Sequence, residues 1–197
     1  MHISGLVLAA GRSTRLGRPK QLLEYRGGPL LDSTLDVARA CGFGELIVAL
    51  GGAGDDVKES VDLAGCTVVD NVHHTTGCSS SIVAALDHVD PRADGLMLLL
   101  GDQPGIDPST IDAVRETVGA APDVPPVAVC RYDDGRGHPF WFSRAMFAEL
   151  RGLHGDKAVW KLLESGRWPV VDVPVSGKVP LDVDTWDDYE HLLETTP

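Results

Sequence analysis

Near its start the chain reads Ala9-Ala10-Gly11-Arg12-Ser13-Thr14-Arg15-Leu16-Gly17-Arg18-Pro19-Lys20, with four cations and no acid before Glu24. Elsewhere acids dominate: 29 against 17 basic residues over 197 positions, a net charge of −12, so about three acids are expected in any twenty residues. A cationic loop in an acidic protein suits an anion such as a triphosphate, and Gly11 and Gly17 allow close backbone approach. Lys20, carried on this loop, is expected to face solvent. Two carboxylate groups complement it. Asp102 follows the apolar run 96–100 in Gly101-Asp102-Gln103-Pro104, and Asp182 and Asp184 stand two positions apart in Leu181-Asp182-Val183-Asp184-Thr185. Carboxylates so placed hold Mg²⁺ against a phosphate. If 179–183 is a strand, both late aspartates share one face, one binding metal while the other supports it or caps the last helix. Each group alone has a plainer reading, as a solvated loop or as turn and N-cap aspartates. Together they make the set that phosphoryl and nucleotidyl transfer require: cations for phosphates, carboxylates for metal.

Several chemistries are disfavoured. Neither Gly-x-x-x-x-Gly-Lys-Ser/Thr nor Gly-x-Gly-x-x-Gly occurs in the basic loop, which argues against a P-loop ATPase and a dinucleotide oxidoreductase. Ser79–Ser81 lacks the Gly-x-Ser-x-Gly elbow of serine hydrolases. Adjacent His73 and His74 point to opposite sides of a strand, so a shared metal is not expected. Trp141, Trp160, Trp168 and Trp186 are read as packing residues, and nothing near Cys78 activates its thiol. The other cysteines, Cys41, Cys66 and Cys130, are equally scattered, which argues against a zinc site or disulfide framework and for a reducing cytoplasm. The acidic balance repels nucleic acid and anionic membrane surfaces. No signal peptide is legible and no apolar run approaches the roughly 20 residues of a membrane helix.

The elements that must position these groups alternate. Short apolar runs at 3–10, 46–50, 67–69, 96–100 and 127–130 read as strands. Helices are expected at 29–41, 55–64, 79–89 and 108–118, three of them closed by Gly42, Gly65 and Gly119, the last opened by Asp107-Pro108. Continuous apolar strands alternating with helices predict a doubly wound, mostly parallel, Rossmann-like α/β sheet, in which ligands bind at the carboxyl ends of the strands. After Arg131 come a turn-rich loop, strands at 139–143, 169–175 and 179–183, and helices at 145–153, 156–164 and 185–194. Residues 132–197 are too few for a separate core, so they are read as an acceptor-side extension covering the site of a single domain over 1–197, with 1–131 its nucleotide-binding half.

The run Leu8-Ala9-Ala10-Gly11-Arg12-Ser13-x-Arg15-x-Gly17-x-Pro19-Lys20-x-Leu22-Leu23 resembles the signature of the MobA/MocA-like nucleotidyltransferases, which finish the molybdenum cofactor. Gly77-x-Ser79-Ser80-Ser81, Gly101-Asp102-Gln103-Pro104, Gly137-His138-Pro139, Gly155-Asp156 and Asp182-x-Asp184-Thr185 match further blocks in order, nearly along the whole chain. The Ala-Ala-Gly opening with Pro19-Lys20 is similar to the cytidylyltransferase (MocA) branch; the guanylyltransferase branch usually reads Ala-Gly-Gly with Gly-x-Asp-Lys.

The resemblance implies that a terminal phosphate of molybdopterin attacks the α-phosphorus of CTP and releases pyrophosphate. By it, Ala10, Gly11, Arg12, Arg15 and Lys20 bind the nucleotide's triphosphate side, with Lys20 nearest the α-phosphate. Asp102 and Asp184 hold Mg²⁺, and Lys20, Arg15 and Asp102 carry the chemistry. Ser81 lies near the base, in a pocket shaped by Asn71 and Gly77. Gln103, Pro104, His138 and Asp156 face the pterin acceptor. A molybdoenzyme, or the chaperone that loads it, is the implied downstream partner. The chain departs from the pattern at Lys157-Ala158, Cys78 and His73-His74-Thr75-Thr76, positions where base and acceptor would bind. Two other readings stay open: a guanylyl- or other nucleotidyltransferase on a different phosphorylated small molecule, and a non-catalytic cofactor-binding chaperone.

Overall fold

Apolar runs and amphipathic stretches do alternate in the computed structural model, which describes residues 1–195. The strands are β1 (Ile3–Ala9), β2 (Glu24–Tyr25), β3 (Gly28–Pro29), β4 (Glu45–Leu50), β5 (Thr67–Asp70), β6 (Gly95–Leu100), β7 (Val127–Arg131), β8 (Arg136–Ser143) and β9 (Val170–Pro174). The helices are α1 (Leu30–Ala40), α2 (Gly54–Ser60), α3 (Ser79–Ala85), α4 (Pro108–Ala120), α5 (Phe147–Arg151), α6 (Ala158–Glu164) and α7 (Trp186–Thr195). β2 and β3 form a small separate hairpin; the others make one seven-stranded sheet in the order β5-β4-β1-β6-β8-β7-β9. The fold is the mostly parallel, doubly wound Rossmann-like α/β sheet, with β8 antiparallel to both its neighbours.

Burial on both faces explains the unbroken apolar strands. Along β1, Ile3, Val7 and Ala9 face a core shared with Leu31 and Leu35 of α1, Val57 of α2 and Ile111 and Val114 of α4. Leu6 and Leu8 face the other side, with Ile82 of α3, Leu150 of α5 and Val159 and Leu162 of α6. A third, smaller cluster joins Leu16, Leu23 and Leu30 to Val183 and Leu192, pinning the basic loop and the C-terminal segment to the carboxyl edge of the sheet. Residues beyond 131 therefore complete the sheet through β8 and β9 as well as bordering the site.

Local chemistry sets most ends. Asp107 caps α4, accepting 2.8 Å from the Ser109 N–H, with Pro108 in the first turn. Gly42, at φ +63°, turns the chain out of α1 as expected. Gly119 does not close α4, which continues to Ala120, and α2 stops at Ser60, so Gly65 follows a non-helical stretch. α3 is shorter than the expected 79–89, and 145–153 divides into a single 3₁₀ turn, Arg144–Met146, followed by α5. The expected strand at 179–183 is absent from the ladders. Pro180 has no N–H to give, and the segment is held instead by Val183 N–H on Asp102 C=O at 3.0 Å. No helix among the described residues is long and apolar enough to cross a membrane.

Candidate active site

The basic loop leaves β1 at Ala9 and is built rather than loose. Ser13, at φ +50°, accepts the Leu16 and Gly17 N–H groups on its carbonyl, each at 3.1 Å, and the Lys20 N–H on its Oγ at 2.9 Å. Gln21 Nε2 donates to Ala9 C=O at 2.6 Å and Gly11 C=O at 3.3 Å. Leu16, 4% exposed, plugs the third cluster while Arg12 and Arg15 stay exposed. An anchored backbone that holds exposed cations at a sheet edge is a geometry suited to an anion.

Lys20 departs from expectation. It is not solvent-facing but 8% exposed, and its ammonium donates to Asp102 and, at 2.7 Å, to Asp184 Oδ1. Arg15 reaches the other Asp184 oxygen at 3.3 Å. Burial alone would lower the Lys20 pKa, but the charge of Asp102 and the hydrogen bonds to both aspartates outweigh it, and the net shift is upward. Asp184 is held below the usual carboxylate range, first by its hydrogen bond from Lys20. Two carboxylate oxygens bound to one ammonium lie within about 6 Å of each other by geometry alone. Asp102 sits where Gly101 N–H pairs with Leu8 C=O at 2.9 Å, so the end of β6 fixes it; Val183 then brings Asp184 to it.

Asp184 and Asp182 do not cap α7. Thr185 and Asp188 do: the Asp188 carboxylate accepts from Thr185 N–H and Oγ1, both at 2.7 Å, and from Asp184 N–H at 3.1 Å. Asp188 N–H returns to Thr185 Oγ1 at 3.2 Å, a capping box.

These groups open on a cleft of about 700 Å³ at the carboxyl edge of the sheet. Of the residues singled out in the sequence, Ala10, Gly11, Arg12, Arg15, Lys20, Gly77, Ser81, Asp102, Asp156, Asp182 and Asp184 line it. Asn71, Gln103, Pro104 and His138 do not. Asn71 Nδ2 stands behind the wall and donates to Ser80 Oγ at 2.8 Å and Ser81 Oγ at 2.9 Å. Gln103 is 2% exposed and props Pro180 C=O at 3.2 Å. Pro104 borders a second cavity beside the β2–β3 hairpin. His138 stacks on Phe140 at 3.9 Å, and burial holds its pKa down to about 3, so it is neutral and turned into the core. Asp156 does line the cleft, and one of its oxygens accepts from Cys78 N–H at 3.1 Å. Gly77, at φ +114°, leaves no room for a Cβ, which would meet the Gly155 carbonyl carbon at 2.6 Å; the loop before α3 and the loop before α6 close on each other there.

Burial first, and then the charge of Asp102, pushes Asp182 up to about 6. Cys78 is pushed up to about 11, by desolvation and then by Asp102 and Asp156, so it is a neutral thiol. Sequence reasoning missed Trp160 on the cleft wall, whereas the departures at Lys157 and His74 do fall on it. Trp160 was expected to pack only; which face of α6 looks at the cleft is a property of the packed fold. The arrangement joins exposed cations to a buried lysine between two carboxylates, on a wall of mixed polar and apolar side chains.

Residues 5–170 match the family described as MobA-like NTP transferase domain. The chain is 54% identical to Rv0371c of Mycobacterium tuberculosis H37Rv, whose crystal structure superposes with a TM-score of 0.91 over 99% of each chain. A second structure of that protein, a complex with manganese, is 52% identical with a TM-score of 0.89 over 100% of each chain. Among curated proteins, the nicotine blue oxidoreductase of Paenarthrobacter nicotinovorans is 29% identical over 97% of this chain and 96% of its own length. The bifunctional protein GlmU of Sorangium cellulosum is 31% identical over 62% of this chain, and the match spans only 28% of its length. On the extent of that family match, and with the cationic loop and paired aspartates at the carboxyl edge of its sheet, this chain belongs to the MobA-like NTP transferase domain family.

Proposed function

We propose that this nucleotidyltransferase transfers CMP from CTP to the terminal phosphate of molybdopterin and releases pyrophosphate. The observation that carries the reading is the convergence of Lys20, Asp102 and Asp184 beside the anchored cationic loop. An acceptor phosphate oxygen bonds to the α-phosphorus while the α–β bridging P–O bond breaks, its electron pair leaving with pyrophosphate. The nucleophile arrives already charged, so no protein nucleophile or general base is needed. Gly11 lets the triphosphate approach the backbone, Arg12 and Arg15 neutralise it, and Lys20 serves the oxygens on the α-phosphorus. Ser81, positioned by Asn71, meets the base, with Gly77 letting the loops before α3 and α6 close that wall.

The residues fit a divalent cation. Asp102 Oδ1 is buried with no hydrogen-bond partner, an acceptor suited to a cation, and Asp184 is tied to the same Lys20 ammonium as Asp102. No group of three or more His, Cys, Asp or Glu among the described residues could hold a metal, so Asp102 and Asp184 are the protein's share, as suits Mg²⁺ held by one or two carboxylates and substrate phosphates. When bound, the ion supplies neutralisation of the triphosphate's charge. The manganese held by the 52%-identical relative supports a divalent cation here.

The test is pyrophosphate release from CTP or GTP with molybdopterin and Mg²⁺. Release from CTP well above GTP is expected, because the Ala9-Ala10-Gly11 opening with Pro19-Lys20 is similar to the cytidylyltransferase branch. Equal rates would overturn the cytidylyl assignment; turnover only with another phosphorylated acceptor would overturn molybdopterin; no release with any pair would leave a cofactor-binding chaperone.

A further inference from the structure

Trp160 stands in the first turn of α6, where Ala158 and Val159 are buried in the core, yet its own side chain reaches the cleft wall with Asp156, Lys157 and Cys78. The indole is held in place. Phe140 meets it edge to face, centroids 5.2 Å apart at 89°, and Phe140 is itself stacked on His138. Whichever ring supplies the edge, such a contact leaves at least one indole face untouched by Phe140. A half-buried tryptophan on a cleft wall, held by contact with a second aromatic ring, is a surface for a flat ligand. Beside it Lys157 is exposed and makes no ion pair among the described residues. The wall is continuous with the reacting centre: Cys78, Asp156 and Trp160 line the same cleft as Lys20 and Asp102.

We propose that Trp160 is the stacking platform for a planar, conjugated ring of the acceptor, with Lys157 meeting an anionic substituent on that ring. Its meaning as an acceptor subsite rests on the nucleotidyl-transfer reading, but the contact itself is a binding property that needs neither metal nor turnover. Stacking of a heterocycle on tryptophan uses the whole face of the ring and tolerates replacement by a smaller aromatic, whereas an aliphatic residue forfeits it. The departure at Lys157-Ala158 and the presence of Trp160 three positions later then belong to one feature, a cation next to an aromatic face.

The probe is pterin-6-carboxylate, titrated into the full chain without nucleotide or metal and followed by tryptophan fluorescence and equilibrium dialysis. Wild type should bind it with quenching. Trp160→Phe should keep near wild-type affinity while losing most of the quench, and Trp160→Ala should weaken binding at least about tenfold. Lys157→Met should also weaken it. CTP affinity, measured separately, should be unchanged in Trp160→Ala. Wild-type affinity in Trp160→Ala, no binding to wild type, or equal losses for pterin and CTP would each overturn the platform, the last because it signals collapse of the wall. Pyrophosphate release separates the two readings. Trp160-dependent pterin binding without any release removes the transfer reaction and keeps the platform. Release in wild type with no effect of Trp160 on pterin binding does the reverse.

Discussion

Lys20 Nζ lies 2.7 Å from Asp184 Oδ1, across 164 positions of sequence, and holds Asp102 with the same ammonium. This one cation joins the loop after β1, the end of β6 and the segment before α7, so it is both a structural tie and the candidate phosphate ligand. Lys20→Met should therefore cost stability as well as rate. Breaking a buried pair leaves uncompensated charge, at about 3–5 kcal/mol when fully buried. Asp184, with 42% of its side chain exposed, is partly solvated, so about 1–3 kcal/mol is expected. Urea melts and pyrophosphate release on the same sample check it: a rate lost about 10²–10³-fold together with this destabilisation. A fully active variant would remove Lys20 from the chemistry.

Asp102→Asn keeps the shape and removes the charge. It should weaken Mn²⁺ binding, read by electron paramagnetic resonance, by at least about tenfold and lower turnover about 10²–10³-fold. Asp182→Asn should do far less to either, because the Lys20 ammonium gathers Asp102 and Asp184 and leaves Asp182 outside that pair. Equal effects of the two substitutions would break the pairing of Asp102 with Asp184.

The charge pattern made the cationic loop legible, because four cations without an acid stand out in a −12 chain. Asp102 was legible too, since a polar residue directly after a buried parallel strand emerges at its carboxyl edge. What joins them was not. Nothing in a sequence says that Lys20 folds inward between two aspartates instead of facing solvent; that follows from Leu16 and Val183 sharing one apolar cluster. The placement of β8 between β6 and β7 depends on long-range pairing, and only that pairing turns His138 onto Phe140 rather than toward the cleft. At 179–183 the alternating pattern reads as a strand, yet Pro180 and the missing ladder partner leave an extended strap, which still brings Asp182 and Asp184 to the cleft.

His138 gives the pH dependence a sign. Its pKa falls from the ordinary 6.5 to about 3 on burial, so the unfolded chain binds the extra proton and the folded one resists it. Stability from this group is complete above pH 6.5 and is lost progressively as pH falls toward 3, on the order of 2 kcal/mol by pH 5. The Tm of wild type should drop between pH 7 and 5, and His138→Gln should flatten that drop by several degrees. Parallel curves for the two proteins would mean that His138 does not titrate in this window.

Thr185 is expected to act on the site through α7. Its Oγ1 and the Asp188 carboxylate form the capping box, and the same carboxylate fixes the Asp184 N–H at 3.1 Å. Thr185→Ala removes one half of the box, which costs about 1 kcal/mol and should lower Tm by about 2–4 °C in a domain of this length. Loosening the N-cap also frees the backbone that presents Asp184 to Lys20, so Mn²⁺ affinity should fall by a few-fold while nucleotide affinity without metal barely changes. Thr185→Ser keeps the hydroxyl and should restore both. If Thr185→Ala melts earlier but binds Mn²⁺ as wild type does, the capping box stabilises α7 alone and Asp184 is positioned by Lys20 and Val183 without it.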